Sequence, residues 1–113
     1  DDDELLLDLL EDVLEKAGYV VVRAEDGREC VLMFKAEDPD LLIIDLDMPL
    51  RSGFEVLEEI VRDNIGRRRF LILSGRERQQ DIDRGMRLGI NDFIVKPFNG
   101  AALLKRVQEV LTS

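Results

Sequence analysis

Residues 41–49 read Leu-Leu-Ile-Ile-Asp-Leu-Asp-Met-Pro, and this stretch decides the fold. Leu41 to Ile44 is apolar throughout, with no alternation between a dry and a wet face. It is therefore expected to be a strand buried on both sides, the kind that parallel sheets use. Asp45 ends the run. A carboxylate placed where a buried strand leaves the core is held still and partly desolvated, yet stays within reach of solvent. Two further apolar runs stop in the same way: Phe70 to Leu73 is followed by Ser74, and Phe93 to Val95 by Lys96. A fourth β-rich run, Tyr19 to Arg23, is also expected to be a strand.

Amphipathic segments fill the intervals. Leu6, Leu9, Leu10, Val13, Leu14 and Ala17 fall at helical spacing, and Gly18 closes that helix. Asp26-Gly27 reads as a turn. Cys30, Val31 and Phe34 mark a second helix, broken by Asp38-Pro39-Asp40. Phe54, Leu57, Ile60 and Val61 mark a third, followed by a loop from Asn64 to Arg69. Ile82, Met86 and Leu88 give a weaker fourth, ending at Gly89. Asn99 is a good N-cap for a last helix carrying Leu103, Val107, Val110 and Leu111. Strands alternating with helices predict an α/β, doubly wound parallel sheet with helices on both faces. In such sheets the ligand crevice lies beyond the carboxyl ends of the strands. Asp45, Ser74 and Lys96, distant in the chain, should meet at that edge.

Composition narrows the function. The chain has 113 residues, of which 45% are hydrophobic and 36% charged, which fits one ordinary globular domain spanning residues 1–113. No apolar stretch approaches the roughly 20 residues of a membrane span, and nothing at the start reads as a signal peptide. The single cysteine, Cys30, excludes an internal disulfide and is read as core filler suited to a reducing, cytoplasmic setting. The absence of histidine excludes His-based nucleophilic catalysis and most zinc sites. A net charge of −9 argues against direct nucleic-acid binding, and Arg67-Arg68-Arg69 is read as a solvated loop.

Each candidate residue has a plainer reading alone. Asp1-Asp2-Asp3 before a helix is favourable charge on the helix dipole. Ser74 is a strand-end turn residue, and Lys96 a surface lysine. Taken together, they form a set. Asp1-Asp2, the Asp45-Leu46-Asp47-Met48-Pro49 segment with Gly53 after it, Ser74-Gly75, and Lys96-Pro97-Phe98 occur in order over the whole chain. In this the chain resembles the receiver domain of bacterial two-component response regulators.

The resemblance implies a flavodoxin-like receiver fold. It implies that Asp45 accepts a phosphoryl group from a histidine kinase or histidine phosphotransfer protein, with Ser74 and Lys96 engaging the phosphoryl oxygens. Mg²⁺ would be held by Asp2 and Asp45 carboxylates, the Asp47 backbone carbonyl, and Asp1 through water. Ser74 and Phe93 would form a switch. Phe93 stands where many relatives carry Tyr, so it lacks a hydroxyl. Asp47 and Arg76 would tune the lifetime of the phosphorylated state. The switch would act on a surface of the fourth helix, last strand and last helix, through an effector domain or self-association. The Lys96–Pro97 bond is expected to be cis. The domain would promote its own phosphorylation and slow dephosphorylation without being a metabolic enzyme. Relatives carry a central first strand before the acidic pair; here Asp1 opens the chain, and that strand is expected to have been trimmed, with no effector domain present. Two alternatives remain: a haloacid-dehalogenase-like phosphatase, which also uses an Asp-x-Asp motif, and a degenerate receiver serving only as a binding module.

Overall fold

The computed structural model describes residues 2–24, 26–47, 53–63 and 69–112, with the side chains of Asp2 and Asp3 outside that description. Among the described residues the elements run α1 (Asp2–Lys16), α2 (Gly27–Glu37), β1 (Leu42–Asp45), α3 (Gly53–Arg62), β2 (Phe70–Ser74), α4 (Gln79–Leu88), β3 (Asp92–Val95) and α5 (Gly100–Thr112). The strands form a parallel sheet in the order β1-β2-β3.

β2 lies at the centre, and every one of its residues is buried. Its side chains divide by the two-residue period of a strand. Phe70 and Ile72 enter a cluster with Cys30, Val31 and Phe34 of α2 and Phe54, Leu57 and Ile60 of α3. Leu71 and Leu73 enter the opposite cluster with Leu10 and Leu14 of α1 and Leu103 and Val107 of α5. A uniformly apolar strand thus serves two cores, one per face. That is why it shows no polar alternation.

The helix ends follow local chemistry. Gly18 takes a φ of 97° and closes α1. Asp26, expected to begin a turn, instead caps α2: its Oδ1 accepts from the Glu29 N–H at 2.9 Å. Asn99 Oδ1 accepts from the amides of Ala101 and Ala102 at 2.9 and 3.1 Å, as an N-cap should. On α4 the expected apolar face is corrected. Met86 is largely exposed, and the buried residue is Gly85. A Cβ there would come within 2.6 Å of Ile90 and 3.3 Å of Ile72, so α4 approaches the sheet through a glycine. The period count missed this because glycine carries no hydropathy signal.

Tyr19 to Arg23 is not a strand. Its side chains still alternate as a strand's would. Tyr19 and Val21 pack on the α1–α5 core, while Val20 is 93% exposed. Among the described residues, however, no sheet neighbour meets it, and extended conformation without a partner is not a strand. Arg23 tethers the segment through Asp8 and Glu11 of α1, at 2.5 and 3.2 Å. β1 shows the other side of the same effect. Among the described residues it pairs only with β2, and of Leu42, Ile43 and Ile44 only the last is buried, where a fully buried strand was expected. The loop read from Asn64 to Arg69 lies outside the described residues except for Arg69. That residue donates from Nη1 to the Leu111 carbonyl at 3.1 Å near the end of α5.

Candidate functional site

The parallel register brings three chain positions together. Asp45 pairs with Leu73, and Ser74 with Val95, so β1, β2 and β3 end side by side. The Lys96 amide donates to the Ser74 carbonyl at 2.7 Å, which extends the ladder one step beyond β3. Gly53 follows the turn out of β1. A Cβ on it would sit 3.0 Å from Leu46 Cδ2 and 3.3 Å from the Asp45 carbonyl, so the start of α3 presses against the strand end through a residue without a side chain.

Lys96 reaches back across the edge. Its Nζ lies 3.1 and 2.9 Å from Oδ1 and Oδ2 of Asp45. It also lies 3.0 Å from Oδ2 of Asp47. The side chains of Lys96, Asp45 and Asp47 are 5%, 12% and 43% exposed, so burial decreases steadily toward solvent. The near-buried lysine is tolerable because it is paired. The Lys96–Pro97 peptide bond is cis, as expected.

Backbone amides complete the cluster. Asp47 N–H donates to Asp45 Oδ1 at 2.8 Å, and Gly75 N–H donates to Asp47 Oδ2 at 3.2 Å. Ser74 is buried beside Asp45's strand, but its hydroxyl is engaged locally. It donates to the Arg76 carbonyl at 2.9 Å and accepts from the Arg76 amide at 3.1 Å. Arg76 itself is exposed.

Phe93 is partly buried on the α2–α3 face, in register with Ile72. It also lines a groove of about 370 Å³ with Pro97, Phe98, Ala102 and Arg106. Arg106 of α5 holds Asp92 of β3 through two contacts of 2.7 and 2.6 Å. The sequence reading did not single out that pair. Cys30 is buried among apolar residues, and burial pushes its thiol up to about 11, in keeping with core filler.

The structure thus gathers Asp45, Asp47, Ser74 and Lys96, and sets Phe93 on the neighbouring strand. The expected metal residues Asp1 and Asp2 lie outside the described residues, Asp2 by its side chain. Among the described residues no group of three acidic, cysteine or histidine side chains is placed to hold a metal ion. No helix is long and apolar enough to cross a membrane among the described residues. Sequence reasoning gave Asp47 a backbone carbonyl toward the metal and a part in tuning the phosphorylated lifetime, but did not foresee the contacts of its side chain with Lys96 and the Gly75 amide.

The chain as a whole is similar to known proteins. The family model described as the response regulator receiver domain matches residues 1–108. The chemotaxis protein CheY of Halobacterium salinarum is 31% identical over 113 residues, covering 100% of this chain and 93% of that protein. The alkaline phosphatase synthesis transcriptional regulatory protein PhoP of Bacillus subtilis is 32% identical over 98% of this chain, which spans 46% of PhoP. Among solved structures, the signal receiver domain of a putative LuxO repressor protein from Vibrio parahaemolyticus superposes with a TM-score of 0.89 at 26% identity, covering 99% of this chain and 85% of that one. The receiver domain of sensor histidine kinase PA1611 from Pseudomonas aeruginosa, with magnesium coordinated in its active-site cleft, gives a TM-score of 0.85 at 27% identity, covering 97% and 91%.

Proposed function

The chain belongs to the response regulator receiver domain family of two-component signalling, and on that premise we propose that Asp45 is its phosphoryl acceptor. The observation that carries this reading is the convergence of Asp45, Ser74 and Lys96 at the carboxyl edge of the sheet, with Lys96 Nζ 2.9 Å from an Asp45 oxygen. One Asp45 oxygen forms the new O–P bond as the P–N bond of a partner's phosphohistidine breaks. The electron pair of that bond stays on the leaving imidazole. Lys96 then neutralises a phosphoryl oxygen through a charge-assisted contact. The partner is a histidine kinase or histidine phosphotransfer protein, in the cytoplasm.

The donor set suits Mg²⁺. Among the described residues two carboxylates face one ammonium here, a surplus of negative charge that a divalent cation would balance. The sequence holds no histidine, so hard oxygen donors predominate. Asp2 and Asp45 would hold the ion with the Asp47 carbonyl, and Asp1 through water. When bound, it would screen charge on the transferring phosphoryl group.

Switching rests on Ser74. Its hydroxyl is engaged by the Arg76 backbone, so binding a phosphoryl oxygen requires it to give up the Arg76 carbonyl. That rearrangement would couple to Phe93 and to the face of α4, β3 and α5, where an effector or a second copy would dock. The exposed Arg76 and Asp47 would set the lifetime of the phosphorylated state.

The test is Asp45→Asn, assayed by intact mass after exposure to phosphoramidate and Mg²⁺. The wild type should gain one phosphoryl group and the variant none, with unchanged far-UV circular dichroism. Undiminished incorporation on the variant would place the acceptor elsewhere.

A further inference from the structure

α4 is held unevenly along its length. Its C-terminal end is fixed to the sheet. Gly85 lies so close to Ile90 and Ile72 that no Cβ fits without a shift, and the amides of Gly89 and Ile90 both return to the Gly85 carbonyl. Just beyond, the Asn91 amide donates to the Phe70 carbonyl at 2.8 Å, and Asn91 Oδ1 accepts from the Phe70 amide at 2.9 Å. The N-terminal end is fastened far less. Gly75 to Gln80 are exposed, and Arg78 begins the helix without a side-chain cap. Gln79 Nε2 donates to Asp83 Oδ1 at 2.8 Å, a contact within the helix itself. Among the described residues, Leu88 is the α4 side chain packed on the α2–α3 core, and it too lies at the C-terminal end.

Arg84 crosses from α4 to α3. Its guanidinium lies over the Phe54 ring, 4.6 Å from the centroid. Its Nε donates to Glu58 Oε1 at 3.0 Å, and its Nη2 donates to the same oxygen. Phe54 and Glu58 are a helical turn apart on α3, so they share a face. One takes the flat side of the guanidinium and the other its edge. Arg84 and Glu58 are 44% and 46% exposed, so solvent screens the pair. An exposed ion pair and an exposed cation–π contact each shift an equilibrium by only about two- to fivefold. That is small for a whole domain and large for a helix end with few other fastenings. The Ser74 turn leads straight to this end. Ser74 Oγ is bound to the backbone of Arg76, and α4 starts at Gln79. A rearrangement of that turn therefore pulls on the loose end of α4, and Arg84 resists it.

We propose that Arg84 is a resting-state latch. It holds α4 on α3, with Gly85 to Ile90 as the hinge, and it must release before the N-terminal end of α4 can swing away. The latch opposes switching and is in that sense autoinhibitory. Its trigger rests on the reading of Asp45 as the acceptor; its contacts do not.

The experiment follows amide hydrogen exchange by NMR on the full chain, in wild type, Arg84→Ala, Glu58→Gln and the double variant. Each is measured at rest without metal, then with phosphoramidate and Mg²⁺. At rest, amides of residues 82–88 should exchange at least about a hundredfold faster than those of 71–73, corrected for intrinsic rates, because α4 opens by itself. Arg84→Ala should speed residues 82–88 by about tenfold more and Glu58→Gln by about threefold, and the double variant should match Arg84→Ala alone. In the phosphorylated protein the effect of Arg84→Ala should shrink below about twofold, since the latch is already released. Equal protection in α4 and β2 would refute the separate opening of α4. Unchanged exchange in Arg84→Ala, or additive effects in the double variant, would refute the latch. A tenfold effect that survives phosphorylation would remove its part in switching. Asp45→Asn is the parallel control: phosphoryl incorporation on it, read by intact mass, would remove the acceptor reading and leave the resting measurements to judge the latch.

Discussion

β2 has a hydrogen-bonded neighbour on each side, and every residue in it is buried. The segment 19–23 has the same taste for extended backbone, yet Val20 is 93% exposed and no ladder forms among the described residues. Among the described residues its only backbone hydrogen bond runs from the Tyr19 amide to the Leu14 carbonyl of α1, at 3.1 Å. The difference teaches that side-chain chemistry prepares a strand and pairing makes it. Tyr19 and Val21 find apolar cover on α1 and α5 without forming one. Burial of alternate side chains is therefore not enough; the backbone groups need partners too.

The largest expected effect is in amide exchange. Amides of Leu71 to Ser74 should open only with the whole domain, while those of Val20 to Arg23 exchange through local fluctuation. A ratio of at least roughly a thousandfold is expected by hydrogen-exchange NMR. Comparable protection in both segments would show that residues 19–23 are paired in solution and would remove the contrast.

Next is packing. Ile72 is fully buried between Phe70, Ile90 and the α2–α3 core. Ile72→Ala should cost about 2–5 kcal/mol by urea denaturation, from lost transfer energy and the cavity left behind. Val20→Ala should change stability by less than about 0.5 kcal/mol, because its side chain is already in water. A loss at Val20 approaching that at Ile72 would mean that the segment is covered in solution.

The smallest effect is the tether. Arg23 pairs with Asp8 and Glu11, and the hydrogen bond to Asp8 is the main reason its guanidinium is raised above its usual range. The arginine side chain is 34% exposed, so solvent screens these pairs. Arg23→Ala should cost below about 1 kcal/mol, and less in high salt. It should speed exchange in residues 20–24 without changing β2. A slowing of exchange in that segment would show that Arg23 holds it away from a better position.

Much of the fold was legible because its signals are local. Helical spacing of Cys30, Val31 and Phe34, the Asn99 cap and the Gly18 stop each act within a few residues, and each is found in place. The site was legible in the same way: Asp45, Ser74 and Lys96 each end an apolar run, and a parallel sheet sends such ends to one edge. The α4 face was not legible, since its contact with the sheet runs through Gly85, which has no side chain to count.

The sequence by itself determined the alternation of helices and strands, the two-core use of β2, and which residues reach the carboxyl edge. These follow from the hydrophobic period and from chain direction. Only the tertiary structure decided whether residues 19–23 became a strand, because a ladder needs a neighbour that local sequence cannot supply. Only it decided what Asp47 does. That carboxylate stands two residues from Asp45 in the chain, but its donors, Lys96 and the Gly75 amide, come from the ends of two other strands. A charge's effect depends on distance to its partners, and those distances were set by the packing of the sheet.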